Sequence, residues 1–212
     1  MTTWHARKLA TQSIGIDSHI DTAQRVLLDN EDLTRCTSRG HADLPRLREG
    51  GVRAPFFALW VPTYYHGAEA VRRTLDLREA MQRFVDAHPD QIELATSAAE
   101  IERAVHAGKI AAVLTAEGGH QMDNDLAVLR QYRRMGIMAM TLTHFRNNDW
   151  ADASTDKPAH NGLTEFGKEV VREKTQTGVR ALGDGSRTGN ASSVTISSRG
   201  FSGAGISIAH SF

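Results

Sequence analysis

Thiols are almost absent from this chain. Cys36 is the one cysteine in 212 residues, which excludes an internal disulfide and any zinc cluster built on cysteines. The remaining thiol is expected to be structural, and the scarcity fits a reducing compartment. An excess of either charge is also missing, since Lys plus Arg and Asp plus Glu stand at 25 each. No net field draws the chain to nucleic acid or to an anionic membrane. No stretch approaches the roughly 20 apolar residues of a spanning helix, and no apolar core of a signal peptide follows Arg7 and Lys8. A cytoplasmic location is the expectation. Aromatics are few at 6%, yet an apolar fraction of 40% is enough for a buried core at this length.

What the chain does have is a regular alternation of strand and helix signals. Over Ile14-Gly15-Ile16-Asp17-Ser18-His19-Ile20-Asp21-Thr22, a strand would put Ile14, Ile16 and Ile20 on one face and Asp17, His19 and Asp21 on the other. Polar side chains aimed together at a sheet interior need compensation, and a divalent metal is the usual compensator. A bare His-x-Asp is a weak pattern, and a solvated strand end is the alternative. Residues 22–39 are polar and turn-rich; 41–51 predict a short helix stopped by Gly50 and Gly51; 54–61 predict a buried strand ended by Pro62. A long amphipathic helix follows over 68–87. Ser97 with Glu100 predicts an N-cap and a helix to about Ala107.

The apolar run 110–117 then closes on Glu117 before Gly118 and Gly119, a helix is predicted over 125–135, and the strand 137–144 closes on His144. A polar loop containing Trp150 spans 145–161 and a helix 163–173. Strands ending in functional side chains are the signature of α/β folds, whose active sites lie at the C-terminal strand ends. His19, Asp21, Glu117 and His144 are expected to converge there. Phe56-Phe57 and Met138 with Met140 are expected in the core, and His120 and Asp123 are expected to order a loop. His5, His41, His66, His88, His106 and His160 are expected at the surface.

Six stretches, in this order, resemble the membrane (renal-type) dipeptidase family, peptidase family M19 of the amidohydrolase superfamily. They are Asp17-Ser18-His19-Ile20-Asp21-Thr22; His41-Ala42-Asp43-Leu44-Pro45-Arg46-Leu47-Arg48-Glu49-Gly50-Gly51-Val52; Glu117-Gly118-Gly119-His120; Thr141-Leu142-Thr143-His144; Trp150-Ala151-Asp152; and Gly162-Leu163-Thr164-Glu165-Phe166-Gly167. The resemblance implies an α/β barrel of the (β/α)8 TIM type, two zinc ions, and hydrolysis of a dipeptide by a metal-bound hydroxide. It implies that His19 and Asp21 ligate the first metal, that Glu117 bridges both, and that His144 binds substrate and polarises the scissile carbonyl.

The family's second metal needs two further histidines. The first should fall near Gly185, where none occurs; His210 before Ser211 resembles the second. A barrel of this type takes ~250 residues, so an incomplete barrel is expected, as one partial domain. It would comprise β/α units over 1–173, an irregular stretch over 174–205 where a disrupted reading frame would explain the lost pattern, and a strand-like end over 206–212. Its open strand edge would be a liability for solubility, met by a partner such as a second copy in a homo-oligomer or else leaving the chain poorly folded. Two readings follow: a zinc dipeptidase, or a non-catalytic relative that holds at most one metal.

Overall fold

The computed structural model describes residues 13–182 and a short strand at Ile208–Ala209. Its elements are β1 (Gly15–Ile20), α1 (Ala23–Asp29), α2 (Leu44–Glu49), β2 (Val52–Trp60), α3 (Gly67–Ala87), β3 (Ile92–Leu94), α4 (Ala98–His106), β4 (Ile110–Glu117), α5 (Leu126–Arg134), β5 (Ile137–Thr141), α6 (Glu165–Thr177), β6 (Arg180–Leu182) and β7 (Ile208–Ala209), with a 3-10 turn at Gly119–Met122. The sheet runs in the order β6-β5-β4-β2-β1-β7, and β3 pairs with β4 off that path. Parallel strands linked through helices make this the α/β class expected from the sequence. In β4 every residue from Ile110 to Ala116 is buried, and only Glu117 at its end is partly open. A strand covered on both faces reads as an unbroken apolar run, which is how this one was legible.

Contacts divide the chain into two compact units. In the one holding 13–58 and 79–113, β1 pairs with β2 and β7, and β3 pairs with the start of β4, Ile92 opposite Ile110. Ile16, Leu44, Phe57, Met81 and Ile92 are among its buried side chains. In the one holding 59–78 and 114 onward, the end of β4 pairs with β5, and β5 with β6. Leu77, Leu114, Leu129, Tyr132, Met140 and Trp150 are buried there.

Several boundaries differ from the sequence reading, each for a local reason. Residues 23–29, expected to be turns, form α1, which buries Ala23 and Val26 and stops at Asn30 in the left-handed region at φ 49°. Two buried positions in seven residues are too few to show a helical period. The three-residue β3 was likewise missed. β5 stops at Thr141 rather than at His144, because the next carbonyl, Leu142 O, turns to accept from Gly119 N at 3.2 Å and Asn148 Nδ2 at 2.8 Å. His88 and His160 are half-buried rather than on the surface, bonded to Phe84 O and Asn148 O. No helix among the described residues is long and apolar enough to cross a membrane.

The segment around α2 is organised by one buried carboxylate. Asp43, with no exposed side-chain area, caps the helix by accepting Arg46 N–H at 3.0 Å, and its other oxygen accepts Thr37 N–H at 3.0 Å and Arg46 Nε–H at 2.7 Å. The Arg46 guanidinium then reaches Gly40 O and Thr37 O, each at 3.0 Å. Burial opposes ionisation of Asp43, but the Arg46 hydrogen bond and the two backbone N–H groups outweigh it and hold the carboxyl at about 2. A carboxyl held low contributes stability above its unfolded value near 3.8 and loses it as pH falls through the folded value. Asp43→Asn keeps a cap acceptor and removes the charge. It is expected to cost about 2 kcal/mol at neutral pH, measured by urea unfolding, with the deficit shrinking below about pH 4. A deficit that stays constant down to the acid limit would contradict this account.

Candidate active site

β1 delivers the first two side chains. Its alternation buries Ile16 and Ile20 and leaves His19 and Asp21 at the C-terminal end. Asp17, on the same face, serves the backbone instead: its Oδ1 accepts His19 N–H at 3.0 Å. His19 Nε2 lies 3.4 Å from Asp21 Oδ1, with side chains 38% and 67% exposed.

β4 delivers Glu117, and the turn after it brings back His144. Gly118 takes φ +115°, and any Cβ there would strike the His120 ring. A Cβ on Gly119 would collide with the Trp150 ring and with Leu142 O. The glycine pair is therefore a steric requirement of the turn that follows Glu117. Glu117 Oε1 sits 3.2 Å from His144 Nε2, and both side chains are largely buried, 12% and 14% exposed.

His19 and Asp21 stand at the end of β1, and Glu117 stands at the end of β4. One imidazole and two carboxylates form a donor set suited to zinc, and three protein ligands leave a coordination position open. His144 is outside the trio but touches it through Glu117. His210, the remaining candidate ligand, lies outside the described residues.

The sequence reading missed the residue that sets the state of His144. Trp60, at the end of β2, donates its indole N–H to His144 Nδ1 at 3.2 Å. An indole nitrogen can only donate, so Nδ1 must accept, and the proton of the neutral imidazole is on Nε2, facing Glu117. Phe145 stacks on the same ring at a centroid distance of 4.1 Å. The signal for Trp60 was available: it stands at the C-terminal end of a buried parallel strand, the position that singled out Glu117.

His120 and Asp123 fall in the turn where a loop-ordering role was expected. His120 Nε2 lies 3.0 Å from Val61 O, and burial, opposed only in part by that bond, holds the ring below the usual imidazole range. Beside His144 opens a cavity of about 200 Å³ walled by polar groups, among them His66, Asp123, Arg146 and Asp149. Asp152, buried, accepts N–H bonds from Ala159 at 2.9 Å, His160 at 3.1 Å and Gly162 at 2.9 Å. Burial works against that charge, and the backbone donors hold the carboxyl below its ordinary range all the same.

The family model described as membrane dipeptidase (peptidase family M19) matches residues 4–194. The chain belongs to the membrane dipeptidase family. It is 33% identical over 151 residues to Dipeptidase tcpJ of Claviceps purpurea, covering 66% of this chain and 35% of that one. With Dipeptidase 3 of Mus musculus it shares 35% identity over 147 residues, 67% of this chain and 29% of that one. The chain thus spans about a third of the length of these curated relatives. Among solved structures, the probable dipeptidase PvdM from Pseudomonas aeruginosa has a TM-score of 0.78 at 23% identity, over 86% of this chain and 49% of that one. A metallo peptidase from Rhodobacter sphaeroides, liganded with a phosphinate mimic of the dipeptide L-Ala-D-Ala, has a TM-score of 0.68 at 22% identity, over 78% and 57%. These likenesses establish the fold as the barrel-type α/β fold of the membrane dipeptidases.

The tautomer assignment is open to direct measurement. Long-range 15N spectra of His144 are expected to show the Nε2–H form alone in the native chain, and a mixture of tautomers in Trp60→Phe, where Nδ1 loses its donor. A mixture already present in the native chain would contradict the role given to Trp60.

Proposed function

We propose that this chain binds one zinc ion through His19, Asp21 and Glu117 and, with it, hydrolyses dipeptides. The observation that carries the reading is the family match over residues 4–194, with those three donors standing at the C-terminal ends of two strands. The substrate class is supported by the relatives, which are named dipeptidases. A phosphinate dipeptide mimic bound to one structural neighbour adds to this. When bound, zinc supplies Lewis-acid polarisation of a peptide carbonyl and lowers the pKa of water.

The chain's own groups have separate tasks. Glu117 is a ligand, and its Oε1 lies 3.2 Å from His144 Nε2. His144, with its proton on Nε2, presents that donor to the carbonyl oxygen of a bound dipeptide, where negative charge develops. Phe145 and Trp60 restrict the ring to one orientation and one tautomer.

The occupancy of one rests on the sequence, in which no histidine falls near Gly185. Elemental analysis of the purified chain is expected to find close to one tightly held zinc per molecule, alongside measurable but slow dipeptide hydrolysis. Glu117→Gln is expected to weaken zinc binding by more than the roughly 10–100-fold that loss of an outer-shell partner costs, and to abolish hydrolysis. Zinc content and turnover both unchanged in Glu117→Gln would defeat the reading. A metal-binding native chain with no turnover would favour the non-catalytic alternative.

A further inference from the structure

Gln121 is fully buried and is polar at every end. Its Nε2 donates to Glu117 O at 2.6 Å and to Leu59 O at 3.0 Å. Those are carbonyls at the C-terminal ends of β4 and β2, where a strand runs out of ladder partners. Two carbonyls facing one nitrogen fix the amide's orientation, since Oε1 in their place would repel both. The opposite end, Oε1, lies 2.9 Å from Thr74 Oγ1 on α3, whose hydroxyl also reaches Ala70 O at 2.9 Å. The backbone is tied as well. Gln121 N donates to Gly118 O at 3.1 Å, and Gln121 O accepts from Tyr132 OH on α5 at 2.6 Å.

One side chain therefore bonds the very residue whose carboxylate is the proposed zinc ligand and anchors it to β2 and α3, while the Gln121 backbone carbonyl adds α5. A Glu leaves its strand along a direction set by its own backbone plane, and a small rotation there moves the carboxylate by a large part of an ångström.

We propose that Gln121 is a positioning residue for Glu117: its buried amide clasps the ends of β2 and β4 and so sets the direction in which the Glu117 carboxylate meets metal and His144. The proposal rests on the zinc reading above for its consequence, and on hydrogen-bond geometry alone for its cause. Outer-shell bonds of this kind orient ligands and tune metal affinity.

The test compares Gln121→Met, which keeps the length and loses the side-chain hydrogen bonds, with Val170→Ala, a cavity at a buried position of α6. Cobalt(II) titrated into the whole chain reads affinity by its visible absorption. The Trp60 indole N–H resonance, without metal, reads the Trp60, His144 and Glu117 chain. Gln121→Met is expected to lower cobalt affinity about tenfold or more and to move the Trp60 resonance. Val170→Ala is expected to lower the melting temperature while leaving both readouts at the native values. If Gln121→Met fails to fold, Tyr132→Phe, which removes the hydroxyl bonded to Gln121 O and to Thr74 of the same network, is expected to change both readouts in the same direction by less. Native affinity and a native resonance in a folded Gln121→Met or Tyr132→Phe overturn the proposal. If the native chain takes up no cobalt, the zinc reading fails, and the resonance alone decides whether Gln121 positions Glu117.

Discussion

An indole can give a hydrogen bond and cannot take one, and the state of the site depends on that asymmetry. Trp60 spends its one donor on His144 Nδ1, which leaves the imidazole a single neutral form, with Nε2–H turned to Glu117. The Glu117 and His144 side chains are nearly enclosed, so their bond is worth more than it would be in water and would be costly to leave half-made. Three strand ends contribute one member each: β2 the tryptophan, β4 the glutamate, and the turn beyond β5 the histidine. Parallel strands make this possible, because they bring the same ends, and the same kind of loop, to one side of the sheet.

Such loops carry a structural liability, since their backbone groups have left the ladder and have found no helix. In this chain the liability is met by buried polar side chains that each serve several backbone groups. Asp43 collects N–H groups from Thr37 and Arg46. Asp152 collects three from the segment 159–162. Gln121 does the complementary task of donating to two carbonyls. A carboxylate suits a loop with surplus donors, and an amide suits strand ends with surplus acceptors. The motif residues around Asp43 and Asp152 thus mark places where the backbone needs them, away from the proposed chemistry.

The sequence made the strands of this fold legible where burial was two-sided. The run from Ile110 to Ala116 could be recognised without a partner, and so could its closing glutamate. His19 and Asp21 stood out because alternation separated them from Ile16 and Ile20. Trp60 and Gln121 were harder for opposite reasons. Trp60 ends a run of apolar residues and looks like more core, although its useful atom is the one polar atom it has. Gln121 is a polar residue in a loop, and nothing in its neighbourhood says that it is fully buried; its side-chain partners Leu59 and Thr74 are far away in the chain. α1 and β3 escaped because elements of seven and three residues carry less than two periods of their own pattern.

Exposure divides the proposed ligands into two kinds. Asp21 is 67% exposed and His19 38%, whereas Glu117 is 12% exposed. An exposed carboxylate stays ionised at little desolvation cost and can turn to meet a cation, but gives no fixed geometry. An enclosed carboxylate is costly to ionise and, once held by neighbours, is rigid. The mixture lets one end of the donor set adapt while the other keeps its direction. Glu117, not the exposed pair, is the member whose surroundings must be exact, and accordingly the glycine turn, His144 with Trp60, and the Gln121 amide all converge on that one residue.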